Sequence, residues 1–177
     1  MTQKVNRMVA ALLVASSDEQ GPFVVLQRRG EWDYEKGQSE SWPGACQSTA
    51  NGGMEDEDEE DTLRAMRREV FQELGPEFAG LLMGPYAPSR LCRIVTDRLH
   101  REVEIYWVQV PEAMLGSIVL HASTGGLVRI RPGQEILDMS VHFTREDGVP
   151  DRRIIAGYPE TIQAVERAFK LLSSAAA

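Results

Sequence analysis

The chain has 177 residues, of which 42% are hydrophobic and 26% charged, and a formal net charge of −8. Such a length and composition predict one globular domain that folds without staples. The negative balance excludes sequence-independent binding to nucleic acid or to an anionic membrane, and Cys46 and Cys92, with no CxxC and no Cys/His ligand spacing, exclude a zinc ribbon or finger.

The longest apolar run, Met8 to Ala15, falls far short of the roughly 20 residues that span a bilayer. Lys4 and Arg7 precede it, but its shortness and the polar Ser16, Ser17 and Asp18 that follow do not fit a secretory signal. The run reads as a buried strand within Asn6 to Ala15, and the protein as cytoplasmic. A second strand is expected at Phe23 to Arg28, with Asp18, Gly21 and Pro22 turning the chain between them. Residues 30–53 read as one long loop, rich in glycine and without hydrophobic periodicity. A loop of that length in a compact domain is commonly functional.

Glu55 to Asp61 is an unbroken acidic run, without which the chain would be nearly neutral. It leads into the clearest helix, predicted at 61–74, where Leu63, Met66, Val70 and Leu74 recur at spacings of three and four. The acids complement the dipole at its start, and Gly75-Pro76 is a stop signal. Strands are expected at Ser89 to Val95, Val103 to Val110 and Leu127 to Ile130. A short helix is expected at Glu112 to Ser117 and a final one at Pro159 to Leu172, with Ser173 to Ala177 frayed. Strands flanking a central helix, with a second helix at the end, predict a mixed sheet sandwiched between helices.

The central helix carries the chemistry. Glu69 and Glu73 are four apart and present their carboxylates on one face, with Gln72 beside them. Oxygen-bearing side chains so grouped suit a hard divalent cation; the same spacing also describes a solvated face with arginine partners. Ala65, one turn earlier, leaves room above the carboxylates. Arg68 is rotated about 100° away and is placed to brace a neighbouring loop.

The segment GGMEDEDEEDTLRAMRREVFQELG, residues 52–75, resembles the signature of the Nudix hydrolases. That signature is a glycine, five residues, Glu, seven residues, then Arg-Glu-apolar-x-Glu-Glu-x-Gly-apolar. Glu60 is followed by seven residues and then by Arg68-Glu69-Val70-Phe71-Gln72-Glu73-Leu74-Gly75. The chain departs from the pattern by one extra residue between Gly53 and Glu60, by Gln72 for the first Glu of the pair, by Pro76 for an aliphatic, and by Glu59 for a glycine. Val24 to Arg29 and Ser41-Trp42-Pro43-Gly44 also fit the family's strand ending in Arg and its Trp-Pro-Gly.

The resemblance implies an α/β/α sandwich with a mixed central sheet and a loop-helix-loop motif. It implies hydrolysis of a nucleoside diphosphate linked to a group X, with Mg²⁺ or Mn²⁺ as cofactor and a nucleotide-derived small molecule as partner. It also implies Glu69 and Glu73 as metal ligands, Gln72 assisting, and the Gly53 carbonyl as a backbone ligand. Glu60 would bind a second metal directly or through water, and Arg68 would order the loop. Many relatives form homodimers, although no interface patch is readable in this sequence.

Outside the motif, Glu112 and Glu135 follow predicted strands and are candidates for the general base. Arg28 and Arg29 are candidates for a phosphate contact, and Trp42, with Trp32 and Tyr34, for stacking on a base; surface pairing and loop packing are the ordinary alternatives. An EF-hand reading of Asp56, Asp58 and Glu60 fails, because Asp61 and Arg67 stand where that loop needs Gly and Glu. His100, His121 and His142 share no motif. Two other functions compete with hydrolysis. One is a nucleotide- or partner-binding module, favoured by Gln72. The other is an isomerase similar to isopentenyl diphosphate isomerase, for which Cys46 follows Trp-Pro-Gly while Gly52-Gly53 replaces the required Cys-Gly-His.

Overall fold

The computed structural model describes residues 5–17, 20–34, 36–82, 84, 86–97, 100–140, 151 and 153–175; His142 lies outside them. The apolar run near the N-terminus forms β1 (Asn6–Ser17), in which Val9 to Ala15 are all buried. Such a strand must be covered on both faces, and alternation divides its side chains between two cores. Val9, Ala11, Leu13 and Ala15 face one, Ala10, Leu12 and Val14 the other.

β2 (Gly21–Arg29) returns antiparallel to β1, pairing Leu13 with Val25 through Ser17 with Gly21. Toward its beginning the same edge of β1 changes partner. β6 (Ala50–Gly53) takes over, pairing Ala11 with Ala50 and Met8 with Gly53. The sheet therefore forks where β2 leaves β1. Buried Thr49 stitches the fork, since its hydroxyl accepts from the Leu13 amide at 2.9 Å and donates to the Val25 carbonyl.

The expected long loop at 30–53 contains three further short strands, β3 (Trp32–Asp33), β4 (Gln38–Ser39) and β5 (Cys46–Gln47). β3 and β4 make a separate hairpin, and β5 pairs with Gln27 and Arg28 of β2. Two-residue strands of polar and small residues carry no period-2 signal, so sequence patterning could not show them.

Beyond the fork, β7 (Ser89–Thr96) and β8 (Arg101–Pro111) form a hairpin whose second strand runs parallel to β1. β9 (Thr124–Ile130) pairs with β2, and the minimal strands β10 (Leu137–Asp138) and β11 (Ala156–Gly157) extend the sheet past β5. Among the described residues the order is β10-β11-β5-β2-β1-β8-β7, with β6 and β9 branching from β1 and β2. A 3-10 turn at Glu112–Ser117 occupies the place expected for a short helix.

α1 (Thr62–Leu74) starts where Asp61 accepts from the Leu63 and Arg64 amides, an N-cap that satisfies two orphan donors. Its Ala65, Met66, Val70 and Leu74 cover one face of the sheet. The stop at Gly75 holds, but Pro76 begins α2 (Pro76–Leu81) instead of closing the helical region. Proline is well suited to a first helical position. Phe78 of α2 is fully buried in the α1-side core.

α3 (Pro159–Ala175) covers the opposite face through Ala164, Val165 and Ala168. It runs past the expected end at Leu172, because Ser173 and Ser174 bond back to the carbonyls of Phe169 and Lys170 and remain helical. The layers are helix, mixed sheet, helix, as predicted. Among the described residues no helix is long and apolar enough to cross a membrane.

Since α2 was invisible to periodicity, its weight in the core is a direct test of this packing. Phe78→Ala is expected to lower unfolding free energy by about 3–5 kcal/mol, read from urea denaturation. A midpoint equal to wild type would show that α2 is not part of the core.

Candidate active site

β6 and the start of α1 converge on one guanidinium. Arg68 donates to the Gly53 carbonyl at 2.8 Å and to Asp58 at 3.0 Å, and its other nitrogens reach Glu55 at 2.9 Å and Glu69 at 2.6 Å. Gln72, one turn on, lies at 3.4 Å. Arginine offers five donors in a planar fork, and this fork ties the loop to the helix.

Asp58 is 1% exposed. It ends a 3-10 turn, Asp56–Asp58, and accepts from the Glu55 amide at 2.8 Å. Its carboxyl is held below its ordinary value, chiefly by the hydrogen bond from Arg68. Glu60, which the resemblance makes a second-metal ligand, is not one of the partners of Arg68. Its side chain is 77% exposed and pairs with Arg7 on β1. The reason is local. Glu59 and Glu60 adopt positive φ of 52° and 67°, a left-handed pair that lifts two residues out of the loop. Counted from Gly52, five residues separate the glycine from Asp58, so the extra residues of the motif fall after the acid rather than before it.

Glu69 is buried at 6% exposure. Burial pushes its carboxyl above the ordinary value, and Arg68 opposes the shift. The carboxylate rests on the β6 backbone, where a Cβ added to Gly52 would lie 2.1–2.2 Å from it. Glycine is needed there for close approach. Glu73 accepts from the Asn51 amide at 3.1 Å. Gln72 is exposed. Thus Glu69 and Glu73 both reach from α1 to β6, Arg68 joins Glu69 to the Gly53 carbonyl, and Glu60 pairs elsewhere with Arg7.

No group of three or more Asp, Glu, His or Cys side chains is arranged to hold a metal ion among the described residues. The donors are a carboxylate pair and a main-chain oxygen. This set fits Mg²⁺, which keeps waters and commonly binds through one or two carboxylates plus substrate phosphates.

The outlying candidates separate clearly. Glu112 pairs with Arg129 beyond the end of β1 that Pro111 meets at Ser16, whereas Asn51 meets β1 at Ala10. Six strand residues separate the two positions, about 20 Å, so Glu112 is not brought to the carboxylate pair. Glu135 is exposed between β9 and β10. Arg29 is engaged by the buried Glu40 and by Gln47 at 3.1 Å, and Arg28 donates to the Gly44 carbonyl at 3.3 Å. Trp42 is exposed in the turn before β5, while Trp32 and Tyr34 flank a separate cavity with Arg28 and Arg29. His121 accepts from the Ser123 amide at 3.3 Å, and His100 sits in the β7–β8 turn. Asp58 was missed because spacing favoured Glu60; burial inside an acidic run leaves no mark in the sequence.

The Asp58–Arg68 pair makes a prediction about acid stability. A depressed native value means that its contribution is complete above the ordinary carboxylate range, near pH 4, and is lost as pH falls through the native value. Asp58→Asn is expected to cost about 2 kcal/mol at neutral pH. The gap between the melting curves of wild type and variant should hold above about pH 4 and shrink steadily as pH falls below it. A gap that stayed constant well below about pH 4 would rule out the ionised pair as the source.

The family model of the NUDIX domain matches residues 6–147. A search of curated proteins finds no match. Among solved structures, a mutT/nudix family protein from Listeria innocua has a TM-score of 0.61 at 11% identity, covering 97% of this chain and 96% of that one. The NUDIX domain of Shewanella oneidensis NrtR, complexed with ADP ribose, has a TM-score of 0.58 at 13% identity, covering 96% and 90%. An Ap4A hydrolase from C. elegans has a TM-score of 0.55 at 11% identity, covering 96% and 99%. At these identities the structures show a shared fold. With the domain match spanning most of the sequence, the chain belongs to the Nudix family.

Proposed function

We propose that this chain is a divalent-metal-dependent hydrolase that cleaves the diphosphate of a nucleoside diphosphate linked to a group X. The observation that carries the proposal is the pairing of Glu69 and Glu73 beside the Gly53 carbonyl, with Arg68 locking the loop to the helix. Glu69, Glu73 and the Gly53 carbonyl would hold Mg²⁺ or Mn²⁺, with Gln72 at the margin. Bound there, the ion supplies charge neutralisation for the diphosphate and acidifies the attacking water.

The chain's own residues set up that site. Arg68 fixes the Glu69 carboxylate and the Gly53 carbonyl together, so both donors keep their spacing without a ligand. Asp58 holds Arg68 from the other side. Gly52 leaves the space that Glu69 fills. Glu73 is oriented by the Asn51 amide, which ties the second carboxylate to the strand carrying the backbone donor. Preorganised ligands of this kind avoid reorganisation at the moment of reaction.

The relatives indicate where to begin with X. ADP-ribose, bound by the Shewanella domain, and Ap4A, the substrate named for the C. elegans hydrolase, head the panel. Chromatographic separation of the nucleotide products formed from that panel with Mg²⁺ or Mn²⁺ should show metal-dependent turnover of one substrate. Glu73→Gln is expected to lower it by at least a hundred-fold, about 2.7 kcal/mol of transition-state stabilisation. Gly52→Ala should do nearly as much with little loss of stability, because its Cβ displaces the flexible end of Glu69 and not the backbone. Wild-type turnover that survived Glu73→Gln would refute the ligand assignment.

One observation favours a second reading. Gln72 puts a neutral amide where the family signature has a carboxylate, and that amide lies on the exposed side of Arg68. A panel without turnover, with nucleotide binding still visible by calorimetry, would establish a binding module.

A further inference from the structure

Along β2 the side chains alternate between the two cores. Phe23 and Val25 lie under α1, so Gln27 and Arg29 continue on the same face. There the apolar surface gives way to a polar ladder. Gln27 and Gln47 are 2% and 6% exposed, and buried polar groups at such a place call for an explanation.

The direction of the ladder is dictated by its first member. A guanidinium only donates, so Arg29, bonded to Gln47 at 3.1 Å, fixes the Gln47 oxygen toward itself. The Gln47 amide nitrogen then faces the Gln27 oxygen. The Gln27 nitrogen in turn donates to the Thr124 hydroxyl at 3.0 Å. Thr124 is thereby made an acceptor within the ladder. Its own proton has no protein acceptor among the described residues, and Thr124 lines a cavity of about 360 Å³.

A bulge aims that hydroxyl. Between the pairs Gln27–Leu127 and Arg29–Thr124, β9 places two residues, Gly125 and Gly126, against one of β2, Arg28. The extra residue reverses the alternation and brings Thr124 to the face of Gln27 and Arg29, as bulges do. Gly126 supplies the positive φ of 107°, and Gly125 lies so close to β2 that a Cβ would come within 2.7 Å of the Arg29 carbonyl. Across the cavity stand Trp32 and Tyr34, 43% and 63% exposed. The Tyr34 amide is anchored by the Ser123 hydroxyl at 3.2 Å.

We infer that this cavity holds the nucleobase of the substrate, stacked on Trp32 and Tyr34, with Thr124 donating a hydrogen bond to a ring acceptor. This rests on the reading that the ligand carries a nucleoside. The two arginines that line it do not make the cavity a phosphate site, because Arg29 is committed to the buried Glu40 carboxylate and to Gln47, and the buried Arg28 donates to the Gly44 carbonyl. Gln47, linked through Gln27 to Thr124, and Asn51, which holds Glu73, are four positions apart in the chain. They span at most about 14 Å, within the reach of one nucleotide from base to diphosphate.

The test is calorimetric titration of the whole chain, with Mg²⁺ present, using ADP, GDP and inorganic pyrophosphate. Trp32→Ala should weaken both nucleotides about ten-fold and Thr124→Val about five-fold. Thr124→Ser should restore wild-type affinity, and pyrophosphate should bind all four proteins alike. Equal losses for pyrophosphate and nucleotides would overturn the inference in favour of a phosphate site. Nucleotide affinity unchanged in both variants would place the base elsewhere and leave the hydrolase reading intact. A folded wild type that binds no nucleotide would remove both.

Discussion

One half-buried guanidinium holds this site together. Arg68 bonds acceptors from three pieces of chain: the end of β6, the 3-10 turn and its own helix. An arginine so placed is stable only while its carboxylate partners surround it, and the partners are tolerable only while it is present. The acidic run before α1 is therefore not uniform. Asp58 turns inward and is fixed, whereas Glu59 and Glu60 turn outward through left-handed backbone. Loop, helix and carboxylate pair are set by this mutual dependence.

The parts of the fold that sequence revealed are those where burial imposes a period. β1 was legible as a continuous apolar run because both its faces are covered, and α1 because one stripe packs and the other does not. Glu69, Glu73 and Arg68 were legible through spacing, since a helix converts separation along the chain into a shared face. Asp58 was not legible, because which acid of seven points inward depends on two backbone torsions that acids adopt without a distinctive residue. Gly52 and Gly53 looked equivalent in sequence. Only the fold shows that Glu69 presses on the first and Arg68 on the carbonyl of the second. The strands at 30–53 escaped for a similar reason, because their pairing is made by backbone.

The fork in the sheet connects these local facts. Were β1 and β2 paired along their whole lengths, the β5–β6 segment could not enter between them. By parting after Leu13 and Val25, they admit a chain that touches β2 through Gln47 and β1 through Asn51. Thr49 satisfies the backbone groups that parting exposes, which a buried fork requires. The segment thereby carries the Gln47 ladder at one end and the glycine pair of the carboxylate site at the other.

Charge accounts for what such a cleft can receive. Arg29 is engaged by Glu40, and Arg68 by Asp58, Glu55 and Glu69. Each cation is thus matched or outnumbered by acids. A diphosphate brought against Glu69 and Glu73 would meet like charge, and like charges at short range in a partly dry site repel strongly. A chain built only to bind anions would leave its arginines exposed to them. Here Arg29 and Arg68 hold carboxylates in place, which is consistent with the proposal that a divalent cation would be held at Glu69 and Glu73 together with the substrate. The acidity concentrated around residues 55–61 acts in the same direction, raising the local concentration of cations at the mouth of the site.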